Sequence, residues 1–323
     1  MTVILGSGAF RYAYKRSWGR LPEGWSLNEV SGVGVDSQDR VYVFNRGEHP
    51  MIVFDRDGNF LTSWGEGVFK RPHAVHMGPD DTIFCTDDGD HTVRKCALDG
   101  RVLMTIGTPN EPKFYMSGEP FCRCTHTACA PNGDIFVSDG YGNARVHKYA
   151  PDGRYLRSWG SPGTGQGQFS LPHNITCDAD GWVYVADREL HRIQVFDANG
   201  RYETQWNNLH RPSALFMPSG SCPLCYVGEG GPSMSVIRKV PNLGGRISVL
   251  DNDGNSLAQL GAPHTGNGPG EFMSPHGIAA DSMGNIYVGE VARTAWSHIN
   301  AGIPVPDPIH VLNKLTKLPQ ETA

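Results

Sequence analysis

Nowhere does this sequence gather lysine and arginine into a cluster or stripe, and its formal net charge is −5. The electrostatic footprint that holds nucleic acid or an anionic membrane is therefore missing, and a small-molecule substrate is the expected partner, with the oligomeric state left open. Long apolar runs are missing too, none approaching the roughly 20 residues that span a bilayer. The opening "MTVILGSGAFRYAYKRSWG" carries a short apolar patch with no basic residues ahead of it, an expectation against a secretory signal. Regular cysteine spacing is also absent. Cys85, Cys96, Cys122, Cys124, Cys129, Cys177, Cys222 and Cys225 are scattered, several inside strand-like runs where a thiol acts as a small hydrophobe, so a reducing cytoplasm is expected. Cys222 and Cys225 form one CxxC with no second pair to complete a tetrahedral set, which reads as a loop with free thiols.

Turn formers are plentiful instead: 40 glycines and 23 prolines punctuate short apolar runs along all 323 residues. The punctuation is periodic. Residues 30–65, 71–107, 123–160 and 170–207 align as copies of about forty residues, 211–261 is a copy with an insertion, and a sixth copy spans 273–315. Each copy reads as four short strands, here called a to d, as in "HNITCD", "WVYVADR", "RIQVFD" and "RYETQW" of the fourth copy. Four antiparallel strands per repeat of this length suit a propeller blade, so the expected fold is an all-β, six-bladed β-propeller in a single domain. The sixth copy lacks an obvious strand d. "YKRSWG" at 14–19 resembles the strand-d endings "LTSWG" and "LRSWG", so residues 10–19 are expected to complete the last blade and close the ring.

The repeat register also exposes a constellation. Strand b ends on Asn45, Asp87, Asp139, Asp187 and Glu290 in copies one, two, three, four and six, and fourteen positions earlier stand Ser31, His73, Thr125, His173 and His276. Ser213 fills the comparable place in the fifth copy, so histidine occurs in every second blade. Strand a is innermost in a blade, and alternate blades of six stand about 120° apart, so three imidazoles at one height converge on the axis. Three histidine nitrogens with a fourth position open are the donor set of a catalytic zinc, while iron, cobalt and manganese accept the same ligands. His73, His173 and His276 are the expected metal ligands. The loops after strand b overlook that point and carry Arg46 in "NRGEH" and Tyr141 in "DGYGN". Asp139, Asp187, Glu290 and Asn45 could hold the imidazoles in place or only cap the loops that follow.

The repeats resemble NHL repeats, and most of the chain is similar to the catalytic core of the peptidylglycine α-amidating lyase family, most specifically in "VSGVGVDS…FNRGEH", "VSDGYGNAR", "FSLPHN…VADRE…RIQVF" and "MSPHGIA…IYVGE". The resemblance implies a six-bladed propeller with a catalytic zinc on His73, His173 and His276, a catalytic arginine at Arg46 and a catalytic tyrosine at Tyr141. Departures accompany it. The family has an acidic residue that helps bind a structural calcium where this chain has Gly277, a disulfide between positions matching Cys122 and Gly142, and "HRGDH" where this chain has "NRGEH". Three activities remain open at this level. The first is a zinc lyase that cleaves the C–N bond of a carbinolamide to an amide and an aldehyde or glyoxylate-type product. The second is a zinc hydrolase of a lactone, ester or amide, and the third a non-catalytic binding propeller.

Overall fold

The computed structural model describes residues 2–218 and 224–320 and is built of six antiparallel sheets with one short α-helix, Ala292–Ile299. Cys222 of the CxxC lies outside the described residues, while Cys225 is a buried free thiol at the start of a strand. Blade one comprises Val30–Val35, Val41–Asn45, Met51–Phe54 and Phe60–Trp64, hydrogen-bonded in that order from a to d. Blades two to five repeat the order, with inner strands Pro72–Met77, His126–Cys129, Pro172–Cys177 and Pro212–Phe216. Blade six pairs Pro275–Ala280, Ile286–Glu290 and Leu312–Lys317 with the N-terminal strand Tyr12–Arg16. The closing strand expected from residues 10–19 is therefore present, and a fifth strand, Val3–Leu5, adds to its outer edge. The inner strands touch their neighbours in sequence around a closed ring, blade six against blade one included.

Six apolar clusters, one between each pair of neighbouring blades, hold the ring together. Two features of the repeat account for much of this packing. Strand d ends on a large apolar side chain, and the c–d turn of the next blade carries a glycine with positive φ. A Cβ at Gly100 would stand 2.7 Å from the Trp64 ring of the preceding blade, and one at Gly200 would stand 2.5 Å from that of Trp159. Each glycine thus serves both the left-handed turn and the close seat of a tryptophan. Trp18, just past the closing strand, packs in the same way on Gly58 of blade one, which is how the N-terminus locks the ring.

The polar ends of strand b tie each blade to the loop that enters it. Asp187 accepts from the amides of Ser170 at 3.0 Å and Leu171 at 3.1 Å. Glu290 accepts from Met273 at 2.7 Å and Ser274 at 3.0 Å. Asp139 accepts from the Cys122 amide and from Asn143 Nδ2, and Asn45 accepts from the Asn28 amide at 3.0 Å. Glu229 does the same for His210 in blade five, where the insertion hides it from the repeat register. These carboxylates organise loops, and none has a hydrogen bond to His73, His173 or His276 among the described residues.

Candidate metal centre

A bulge in strand a aims each histidine. In blades one, two, four, five and six the pairing of strands a and b slips at one residue, and that residue is Ser31, His73, His173, Ser213 and His276 in turn. A bulge re-aims a side chain that strict alternation would send elsewhere. The proline before each histidine opens the strand, where its lost N–H costs no ladder bond.

Three imidazoles meet as a result. The ring centroids of His73 and His173 are 5.1 Å apart, those of His73 and His276 4.8 Å, and those of His173 and His276 4.7 Å. One nitrogen from each lies within 4.8 Å of the other two. All three rings are buried. Each is held at Nδ1 by a main-chain carbonyl of the next blade: His73 by Thr125 at 2.5 Å, His173 by Ser213 at 2.8 Å and His276 by Ser31 at 2.7 Å. Only a protonated Nδ1 can donate to a carbonyl, so the contact fixes the tautomer and leaves the Nε2 lone pair for a ligand. The alternating hydroxyl residues of the repeat are thus the partners of the histidines through their backbone. Thr125 also spends its own hydroxyl on the carbonyls of Ser138 at 3.1 Å and Pro172 at 2.8 Å.

Burial is the largest influence on these rings, and it drives all three pKa values well below the usual histidine range. Neighbouring imidazoles and nearby guanidinium groups push the same way, Arg46 on His73 and His276 and Arg188 on His173, while the carbonyls at Nδ1 oppose them. Three neutral imidazoles whose Nε2 lone pairs face one point fit a divalent cation such as zinc.

Of the two rim residues expected from sequence, Tyr141 meets this point and Arg46 is bonded to the residue before His73. The Tyr141 hydroxyl stands 3.1 Å from His73 Nε2 and 3.1 Å from His173 Nε2. Arg46 is no surface ion pair: its guanidinium is nine-tenths buried, with Nε donating to the Pro72 carbonyl at 2.8 Å and Nη1 to Glu29 at 3.2 Å. A third residue escaped the sequence reading. Arg188 lies over the Tyr141 ring at 5.9 Å and pairs with Glu189 at 2.7 Å. Burial works against the Arg188 charge, but Tyr141 and Glu189 outweigh it and raise its pKa. Glu189 in turn is pulled down to about 2 by Arg211 and Arg188, despite its burial. The repeat held the signal, since Arg188 follows Asp187 as Arg46 follows Asn45. Arg123 also lies over the Tyr141 ring, at 4.7 Å, so the phenol sits among cations.

Near the rim, Gly142 packs on Cys122. A Cβ there would come 2.8 Å from Cys122 Cβ and 2.5 Å from its carbonyl oxygen, as well as against Sγ, and Cys122 is a free thiol. No helix among the described residues is long and apolar enough to cross a membrane.

Comparisons with known proteins bear on this arrangement. No protein-family profile matches the chain. The chain is 30% identical to NHL repeat-containing protein 3 of Homo sapiens over 320 residues, covering 91% of this chain and 86% of that protein. It is also 30% identical over 257 residues to peptidyl-alpha-hydroxyglycine alpha-amidating lyase 1 of Drosophila melanogaster, covering 72% of this chain and 45% of that one. Against peptidyl-glycine alpha-amidating monooxygenase B of Xenopus laevis it is 28% identical over 308 residues and spans 34% of the longer protein. Solved structures share the architecture: a gluconolactonase from Xanthomonas campestris with TM-score 0.63, 12% identity and coverage of 96% and 91%, and a streptogramin B lyase with TM-score 0.61, 14% identity and coverage of 96% and 99%. On its repeats, its ring of six blades and its likeness over nearly its full length to the human protein, the chain belongs to the family of NHL-repeat proteins.

Proposed function

We propose that this protein is a zinc-dependent lyase that splits a carbinolamide, an N–C(OH) unit, into an amide and an aldehyde or glyoxylate-type product. The observation that carries this reading is the Tyr141 hydroxyl, set 3.1 Å from the Nε2 atoms of two of the three converging histidines. A phenol so placed is positioned to handle the proton of a group bound at the same point. The likeness to a fruit-fly protein named as an amidating lyase supports the same chemistry.

His73, His173 and His276 would hold the metal through Nε2, and when bound it supplies Lewis acidity to a substrate hydroxyl. Tyr141 takes the hydroxyl proton. As the C–O bond becomes a carbonyl, the C–N bond breaks and its electron pair goes to nitrogen, which recovers a proton and leaves as the amide. Atoms balance without water. Arg188 and Arg46 hold positive charge at the mouth, where they orient a carboxylate or carbonyl of the substrate and stabilise developing negative charge. Arg46 also fixes the carbonyl of Pro72, the residue before His73, so it serves the ligand as well as the mouth.

The test uses N-benzoyl-α-hydroxyglycine, with benzamide and glyoxylate measured as products. Turnover should vanish when a strong chelator removes metal and return with stoichiometric zinc. Full turnover by metal-free protein would refute the reading. Incorporation of ¹⁸O from labelled water into a product acid, with a lactone or ester as the better substrate, would replace the lyase by a hydrolase on the same metal centre.

A further inference from the structure

One tier beneath the metal ring, the residues that follow the five bulge positions and Thr125 of blade three are Gly32, Ala74, His126, Asn174, Ala214 and Gly277. Four are as small as residues come and two are not. In a ring of six, blade three faces blade six and blade four faces blade one, so His126 stands across the channel from Gly277, and Asn174 across from Gly32. The glycine side is packed tight. A Cβ at Gly277 would lie 2.7 Å from Gly32 Cα and 2.7 Å from the Val33 nitrogen, and one at Gly32 would lie 2.8 Å from the Val75 nitrogen. Those contacts are with backbone, which cannot rotate away as a flexible side chain can. The carboxylate that the family resemblance implies at position 277 for calcium is therefore more than missing: the inner strands of blades six, one and two have closed over the space it needs.

The opposite wall is filled. His126 and Asn174 are buried and line the central channel, a cavity of about 1160 Å³ that opens on the face away from Tyr141. The His126 imidazole is buried, its Nδ1 has no hydrogen-bond partner, and its ring centroid lies 6.5 Å from that of His76. Nearby, His76 Nε2 accepts the Cys129 amide at 3.1 Å and so couples blades two and three. Calcium takes six to eight oxygen ligands, normally with carboxylates among them. Among the described residues this tier offers no carboxylate, and an imidazole lines the wall opposite Gly277.

We propose that the channel of this propeller binds no calcium: Gly277 and Gly32 let blades six, one and two pack backbone to backbone over the space a carboxylate would need, and the buried His126 stands on the facing wall. The inference concerns the scaffold and is independent of the reaction proposed above. It is tested on zinc-saturated protein by thermal unfolding and by calcium content after dialysis, in calcium-free and in millimolar-calcium buffer. The parent protein should unfold at the same temperature in both and retain no calcium. Gly277→Asp should unfold at a lower temperature in both buffers, because the new Cβ meets Gly32. Stoichiometric calcium with a rise in the parent's unfolding temperature would overturn the proposal, as would rescue of Gly277→Asp by calcium.

Discussion

Stripping the metal from this protein should make it markedly acid-sensitive, and the structure sets the slope. In the metal-free chain, His73, His173 and His276 are buried with pKa values well below the histidine range, and burial also pushes His76 down to about 4 and His126 down to about 3. Unfolding releases all five to titrate near pH 6.5. A group whose folded pKa is depressed costs nothing above its unfolded pKa, and below it costs about 1.4 kcal/mol of stability per pH unit. Five such groups approach about 7 kcal/mol per pH unit below pH 6.5. Glu290 works in the opposite sense. Burial raises it to about 7, so the folded state binds its proton first and regains about 1.4 kcal/mol per pH unit as pH falls from that value toward the unfolded carboxylate range. The net loss, about 5–6 kcal/mol per pH unit, is set against a total stability of about 5–15 kcal/mol, so unfolding should be complete within about 1–3 pH units below 6.5. Zinc held by the folded state alone would move the transition to lower pH. Circular dichroism followed through an acid titration, with and without stoichiometric zinc, measures both effects. Coincident transitions, or a slope equivalent to the uptake of one proton or fewer, would refute the buried ring of imidazoles.

Further outcomes follow from the site. Tyr141→Phe removes the hydroxyl that stands 3.1 Å from the Nε2 atoms of His73 and His173 and should lower kcat by about 10²–10⁴-fold while zinc content stays at one per chain; loss of zinc with the activity would make Tyr141 a structural partner instead. Arg188→Gln should raise KM for a carboxylate-bearing substrate more than for its methyl ester, and equal effects on both would remove its role at the mouth. Thr125→Val keeps the carbonyl that holds His73 but loses the hydroxyl that fixes it, and should weaken zinc affinity by about 10-fold in a competition assay with a chromogenic chelator. Gly142→Ala should lower both kcat and the unfolding temperature, because its Cβ meets Cys122 next to Tyr141, and Cys122→Ala should restore part of each.

Much of this was legible in one dimension because a propeller repeats. Counting fourteen residues back from the end of strand b located all three histidines, and the strand-d tryptophans pointed to the N-terminal segment that closes the ring. The same count would have found Arg188, which shares its repeat position with Arg46. Other facts had no signature of their own. Asp139, Asp187 and Glu290 were as suited to supporting imidazoles as to capping loops, and only the folded chain shows that the amides of the entering loops claim them while backbone carbonyls hold the histidines.

What the sequence determined by itself is therefore periodic: the number of blades, the order of strands, the alternation of histidine with serine or threonine at the mouth of strand a, and the residue types around it. Repetition fixes these because each copy must bury the same faces against its neighbours. The tertiary structure alone decided what depends on contact between blades: the bulge that aims each imidazole, the carbonyl across the blade boundary that sets its tautomer, and the collapse of Gly277 onto Gly32 that faces His126. Those are distances between backbones far apart in the chain, and no local pattern records them until the ring is closed.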